Sequence, residues 1–336
     1  MPSFRTATVT EVLGDRPGLQ RVATDAGRAY VLTQLTGTVA VGDRVVLNTT
    51  AVDLGLGTGG WHVVHWNLAR DAWSEPGPGH IMKVRYTSLQ TDTGAAEEDH
   101  PDLPGELDGM PVVACSLHSQ VPCVAVALLA TAPTARIAYV MTDGAALPIA
   151  LSDLVVDMVG AGVLVTTITA GHAFGGDLEA VSVPSALLLA RHVAAADVAI
   201  VGMGPGVVGT GSTYGTTAVE VASILDAAAA LGGRPVATLR MSSGDGRERH
   251  QGVSHHSATA LELTRSRVLV AVPSGEGYDD PRHDLVVVDP PAMAELLVDA
   301  GLRVTTMGRG PDADPLFFQA AGAAGTLAAR LLEAPG

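Results

Sequence analysis

Three stretches of this 336-residue chain carry residue types whose spacing could do chemistry. In the first, an apolar run from Val198 to Val201 meets glycines at 202, 204, 206, 209, 211 and 215, then an Ala-rich segment with no breaker before Gly232. The order spells strand, glycine loop, helix. Glycines leave backbone N–H groups open to a ligand and the helix start adds the positive end of its dipole, so the chemistry such a loop serves is holding an anion. The expected ligand-binding residues are Gly202, Gly204, Gly206, Gly209, Ser212 and Thr213, joined by Ser242 and Ser243 from the second stretch. The competing use is structural, with the glycines admitting tight helix–sheet packing. Gly204-x-Gly206-x-x-Gly209 matches a dinucleotide fingerprint, but it follows the fourth strand of its sheet rather than the first, and no acidic residue ends the next strand at Leu239.

The second stretch, Ser242 to Ser257 (SSGDGRERHQGVSHHS), holds His250, His255 and His256. Imidazoles this close on a loop entering a helix suit a divalent metal, with His255 and His256 as ligands and Asp177 or Asp245 completing the set. The alternative is helix-capping and solvent-facing histidines, with His250 as an acid/base or anion-binding group. In the third, GHAFGGD from Gly171 to Asp177, His172 is the candidate acid/base and Asp177 the group that orients it or coordinates. Turn formation and packing compete with that role. LHSQV around Ser119 lacks the flanking glycines of a nucleophile elbow, which argues against a serine hydrolase.

These stretches need elements to position them. Beyond Met110, strand-like runs (Val112–Cys115, Ile137–Met141, Val163–Thr169, Val198–Val201, Val236–Leu239, Val268–Val272) alternate with helix-compatible segments, followed by Leu285–Val288 and Arg303–Met307 around a helix at Pro290–Ala300 and a closing helix at Leu316–Glu333. This predicts an α/β fold with a doubly wound, mainly parallel sheet over residues 111–336. In such a sheet ligands bind beyond the carboxyl ends of the strands, which would gather the three stretches at one edge. Residues 1–69 show short β runs broken by turns and predict a small β-barrel-like domain, near neutral in charge. Residues 70–110, rich in Pro, Gly and acid, read as a linker and an exposed acidic loop, with a strand at His80–Leu89 at the edge of the larger domain.

A net charge of −15 argues against nucleic acid as the main partner, and 47% hydrophobic residues supply an ample core. Two cysteines, Cys115 and Cys123, make no disulfide framework and suit a reducing cytosol. The start, MPSFRTATV, lacks a signal-peptide core, and the uncharged window Met158–Gly176 reads as a buried strand and loop rather than a membrane span, so a cytoplasmic protein is expected.

GHAFGGDLEAVSVPSAL (171–187), VGMGPGVVGTGSTYGTT (201–217) and RHQGVSHHSATAL (249–261) together resemble a bacterial family catalogued only as a domain of unknown function, family 3866. The resemblance covers most of the chain and implies a cytosolic bacterial setting. It brings no mechanism. From the residues, the expected function is an enzyme acting on a small phosphorylated or carboxylated metabolite, a nucleotide among the candidates, with His172, Asp177 and His250 as working groups. The alternative is a non-catalytic metabolite sensor or scaffold whose β domain docks a partner. Whether a divalent metal is the cofactor and whether the chain forms a homo-oligomer stay open at this stage.

Overall fold

The computed structural model describes residues 1–56 and 59–333. The chain divides after Gly94 into two compact units, inside the stretch expected as linker and loop.

The first unit holds a closed five-stranded barrel, β1 (Phe4–Arg16), β2 (Leu19–Thr24), β3 (Gly27–Leu32), β4 (Arg44–Asn48) and β5 (Trp61–Asn67), in the order β1-β2-β3-β5-β4. Single turns of helix, α1 (Thr33–Thr36) and α2 (Thr50–Asp53), flank β4. Alternate residues point inward, so Val9, Val22, Val31, Val45, Leu47 and Val64 form the barrel core while their neighbours face out. Outside, Tyr30 stacks on Trp61 and Arg28 lies over the Trp61 ring. The strand expected at His80–Leu89 shrinks to β6 (Met82–Lys83), paired with β7 (Thr91–Asp92) in this same unit. Val84 and Tyr86 take positive φ (51° and 60°), which breaks the alternation a longer strand needs.

The second unit is the predicted α/β layer structure. Its all-parallel eight-stranded sheet runs β11-β10-β9-β12-β8-β13-β16-β17, with β8 Pro111–Cys115, β9 Ile137–Thr142, β10 Thr166–Ala170, β11 Leu178–Ala180, β12 Val198–Met203, β13 Arg234–Thr238, β16 Leu269–Pro273 and β17 Asp284–Val288. A separate pair, β14 (Met241–Ser242) and β15 (Gly252–Val253), is antiparallel. Every residue of β8, β9, β10 and β12 is buried, because helices cover both faces. One face carries α4 (Gln120–Thr131), α5 (Asp153–Gly160), α9 (Met293–Asp299) and α10 (Pro315–Glu333); the other carries α3 (Ala96–Asp99), α6 (Val183–His192), α7 (Glu220–Ala230) and α8 (His255–Leu263). Gly325 of α10 lies so close to the Val124 backbone of α4 that no Cβ fits.

Arg303–Met307 is not a strand. Thr306 and Arg309 instead exchange backbone hydrogen bonds of 2.9 Å across a turn with positive φ at Met307 and Gly308. The acidic segment after Gly94 is tied into the second unit by α3, by Glu97 accepting from Val181 N (2.9 Å), and by buried Leu107 bonding Leu231 O (2.8 Å). Among the described residues no helix is long and apolar enough to cross a membrane, and both cysteines are buried and free.

Candidate functional site

Chain order and sheet order together define where a ligand would enter. From β9 the chain leaves through α5 to β10, while from its neighbour β12 it leaves through α7 in the opposite direction to β13. Such divergence opens a crevice beyond the strand ends. Between β8, which leads to β9, and β13, which leads to β16, a second crevice opens for the same reason.

The β9/β12 crevice holds two carboxyl groups. Thr142, the last residue of β9, donates through Oγ1 to Glu220 Oε1 at 2.7 Å, and Gly144 passes so near that a Cβ there would sit 2.5 Å from Glu220 Oε2. Asp143 accepts from the His172 backbone N–H at 2.9 Å. Burial pushes the Glu220 carboxyl up to about 7; the Thr142 hydroxyl opposes the rise and the Asp143 charge adds to it. A carboxyl that exchanges its proton near neutrality, beside a second one, is equipped for general acid or base chemistry.

The glycine run beyond β12 is a β-hairpin rather than a loop wrapped directly on a helix start. Gly209 and Thr216 pair, Thr210 N donates to Gly215 O (2.7 Å), and Thr217 N donates to Val208 O (2.9 Å). The helical path begins at Thr217, with the Thr216 hydroxyl accepting from Ala218 N, and α7 follows from Glu220. Its glycines serve separate ends. A Cβ at Gly202 would strike the Cys115 carbonyl at 2.8 Å and one at Gly204 the Ala146 carbonyl at 2.8 Å, so both are packing positions. Gly206 holds φ at +102° with open space around it, and Ser212 and Thr213 are on the exposed tip, where Ser212 Oγ bonds Thr210 Oγ1 at 2.8 Å. Gly209 is the point of contact with the histidines, since a Cβ there would lie 3.3 Å from Cε1 and 3.4 Å from Nε2 of His256.

The histidines themselves form one cluster. His250 ends a 3₁₀ turn, His255 and His256 open α8, and the ring centroids are 4.3–5.0 Å apart. Ser254 organises them: its hydroxyl accepts from His256 N (3.2 Å) and bonds His250 Nδ1 (2.7 Å). Burial lowers all three rings, His250 to about 4 and His256 to about 3, and nearby guanidiniums add to the effect. The shifts favour the neutral imidazole form of each ring. Arg240 Nη1 stands 3.3 Å from His256 Nδ1 and its Nη2 is 3.5 Å from Asp245. Asp245 is buried, and the two-pronged bond from Arg247 (2.9 and 2.8 Å) holds it far below the ordinary carboxylate range, aided by Arg309.

Ser242 and Ser243, expected to bind a ligand, are engaged by the chain itself. The wholly buried Asp314 carboxylate accepts from Ser242 Oγ (2.6 Å), Ser243 N (2.9 Å), Gly244 N (3.2 Å) and Arg309 Nε (3.1 Å). The donors anticipated for an external anion face an internal one. Asp177 is also committed: it accepts from Thr167 N (2.8 Å) and Thr167 Oγ1 (2.9 Å) at the start of β11. The end of β10, where His172 follows, is three residues further along, about 10 Å at the usual rise per strand residue. The loop between two adjacent parallel strands has to run back the length of β10, which separates Asp177 from His172 and makes it a turn residue. His172 itself is half-buried beside Asp143.

A family model described as "Protein of unknown function (DUF3866)" matches residues 28–325. The chain belongs to that family. All three chemistry-bearing stretches lie within the match, as do both crevices. No curated protein and no solved structure matches the chain. For this DUF3866 member the geometry therefore has to speak for the chemistry. Four of its site residues carried little signal in the sequence: Glu220 looks like an ordinary first-turn helix acid, Asp314 like a residue just ahead of the closing helix, and Arg240 and Arg309 like surface arginines. The one available cue was that Glu220 follows a glycine run after a buried strand.

Proposed function

We propose that the carboxyl edge of the eight-stranded sheet is the active site of a cytosolic enzyme acting on a small phosphorylated or carboxylated metabolite, a nucleotide among them. The observation that carries this is Glu220, a carboxyl pushed up to about 7 at a diverging strand pair with Asp143 beside it. Glu220 is the acid/base group and the Thr142 hydroxyl orients it. Across the hairpin, Arg240, Arg247 and Arg309 stand around Asp245 and Asp314 and Arg249 acts on His255, a local surplus of guanidinium in a chain of net charge −15. That surplus is the electrostatic support for an anionic substrate. His172, half-buried next to Asp143, is at hand for a second proton transfer.

A second reading, a non-catalytic metabolite sensor, draws support from the hairpin, where Val208 and Tyr214 are 61% and 60% exposed and could meet a partner. Incubation of the protein with a cellular metabolite extract, followed by mass spectrometry, separates the two. The enzyme reading expects consumption of one anionic metabolite by the parent and none by Glu220→Gln, with ligand retention intact. Retention without consumption by the parent decides for the sensor.

A further inference from the structure

We propose that His250, His255 and His256 together hold one divalent transition metal of the zinc, cobalt or nickel kind and leave its fourth position to a ligand from outside the chain. One ring nitrogen from each lies within 4.8 Å of the other two. The centre of a triangle of that side is about 2.8 Å from each corner, so shifts of under ~1 Å bring all three to the roughly 2.0–2.1 Å of a metal–imidazole bond. Imidazole nitrogen is a donor this class of ion accepts, and it binds in the neutral form.

A second, independent observation points the same way. Nε2 of His255 is buried without a hydrogen-bond partner. A buried ring nitrogen in that state calls for a partner, and at the centre of three histidines a metal is a group that would use it. His250 has the outer support typical of a ligand: its Nδ1 is bonded to Ser254 Oγ at 2.7 Å, and the tautomer that donates from Nδ1 leaves the Nε2 lone pair for an ion. At His256 the lone pair of Nδ1 receives the Arg240 guanidinium at 3.3 Å. Arg240 therefore competes with the metal, and Asp245, 3.5 Å from Nη2, is the partner to which it turns when the ion enters. Arg240, Arg247 and Arg249 make the surroundings unfavourable for a bare dication and favourable for an anionic fourth ligand, a hydroxide, phosphate or carboxylate. The identity of that fourth ligand rests on the anionic substrate proposed above; the metal does not.

The test is a titration of untagged full-length protein with Co(II), read by the visible absorption of tetrahedral cobalt and by its displacement with Zn(II). The parent should show the band. His255→Ala and His250→Gln should each weaken binding more than about 100-fold, beyond what losing an outer-shell partner costs, and the exposed His100→Ala should leave it unchanged. Should His250→Gln fail to fold, the half-buried His255 decides by itself. No band in the parent, or a band that survives both substitutions, overturns the site. Inorganic phosphate should shift the band, and an unaltered band overturns the anionic fourth ligand. Glu220→Gln should bind cobalt like the parent, so a failed turnover experiment and a failed metal site give different results.

Discussion

The two crevices at the carboxyl edge of the sheet arise from the same topology and are filled in opposite ways. In the β8/β13 crevice the fully buried Gln120 accepts from Ser116 N (2.9 Å) and Leu117 N (3.0 Å) and donates to Leu239 O (3.1 Å). An amide with no charge to gain or lose has its main capacity used by the chain, and the crevice is shut. The β9/β12 crevice is filled by Glu220, which differs from a glutamine by one titratable group and is held near neutrality by burial. Open-sheet topology offers two places for a ligand, and the side chains put a neutral amide in one and a titratable carboxyl in the other.

The largest effect expected from breaking this comparison lies just beyond the closed side. Asp314→Ala leaves Arg309, Ser242 and two backbone N–H groups without their acceptor, and should cost about 3–5 kcal/mol of stability, read from the shift of the urea midpoint. A loss below ~1 kcal/mol would mean the four donors find water instead. Gln120→Leu should cost about 2–3 kcal/mol by orphaning Ser116 N and Leu117 N, again by denaturant melt, and an unchanged midpoint would show that the crevice is not sealed by this amide.

Glu220→Gln sharpens the contrast by turning the open crevice into a copy of the closed one. The folded carboxyl, at about 7, lies above its ordinary 4.5, so its contribution to stability is fully present below 4.5 and is lost as pH rises through 7. The parent should therefore lose stability relative to Glu220→Gln between pH 4.5 and about 8. His250 and His256 have the reverse sign. Lowered from 6.5 to about 4 and 3, they contribute stability present above 6.5 and lost as pH falls towards those values. With Glu220 replaced, the acid-side loss below 6.5 should stand alone in a series of melts across pH. A difference between parent and variant that does not change with pH would refute the raised carboxyl.

Gly206→Ala has a smaller expected effect, about 1 kcal/mol by thermal melt, because φ of +102° suits glycine and nothing crowds the new methyl. Gly209→Val crowds the His256 ring, so its readout is the cobalt titration, where binding should weaken. Smallest of all in energy is the response to protease. First cuts should fall between residues 71 and 93, and the segment from Ala96 to Leu107 should be spared by its bonds to Val181 and Leu231, as mass spectrometry of the fragments would show.

Much of the fold was legible because its signals are local. Runs such as IAYVMT and VAIVGM are buried throughout because helices cover both faces of the sheet, while LQRVAT and RVVLN bury their residues largely in alternation because a barrel has one inside. The strand misread at Arg303–Met307 has the same apolar tint, but Gly308 and the pull of Asp314 on Arg309 bend it into a turn. Among the site residues, the nearness of His250, His255 and His256 follows from their spacing on one turn and one helix start.

The amino-acid sequence by itself pointed to the small barrel, the parallel sheet and the nearness of the three histidines, because strand-like runs and close spacing are local signals; that the glycine run folds as a hairpin came only from the structure. Only the tertiary structure decided that Glu220 faces Thr142 across 78 positions, that Asp314 rather than a ligand occupies Ser242 and Ser243 across some 70, and that Asp177 lies at the wrong end of a strand to serve His172. The reason is physical: a carboxylate's proton affinity and its choice of partner are set by burial and by donors that other strands bring to it, and neither quantity is written in the residues beside it.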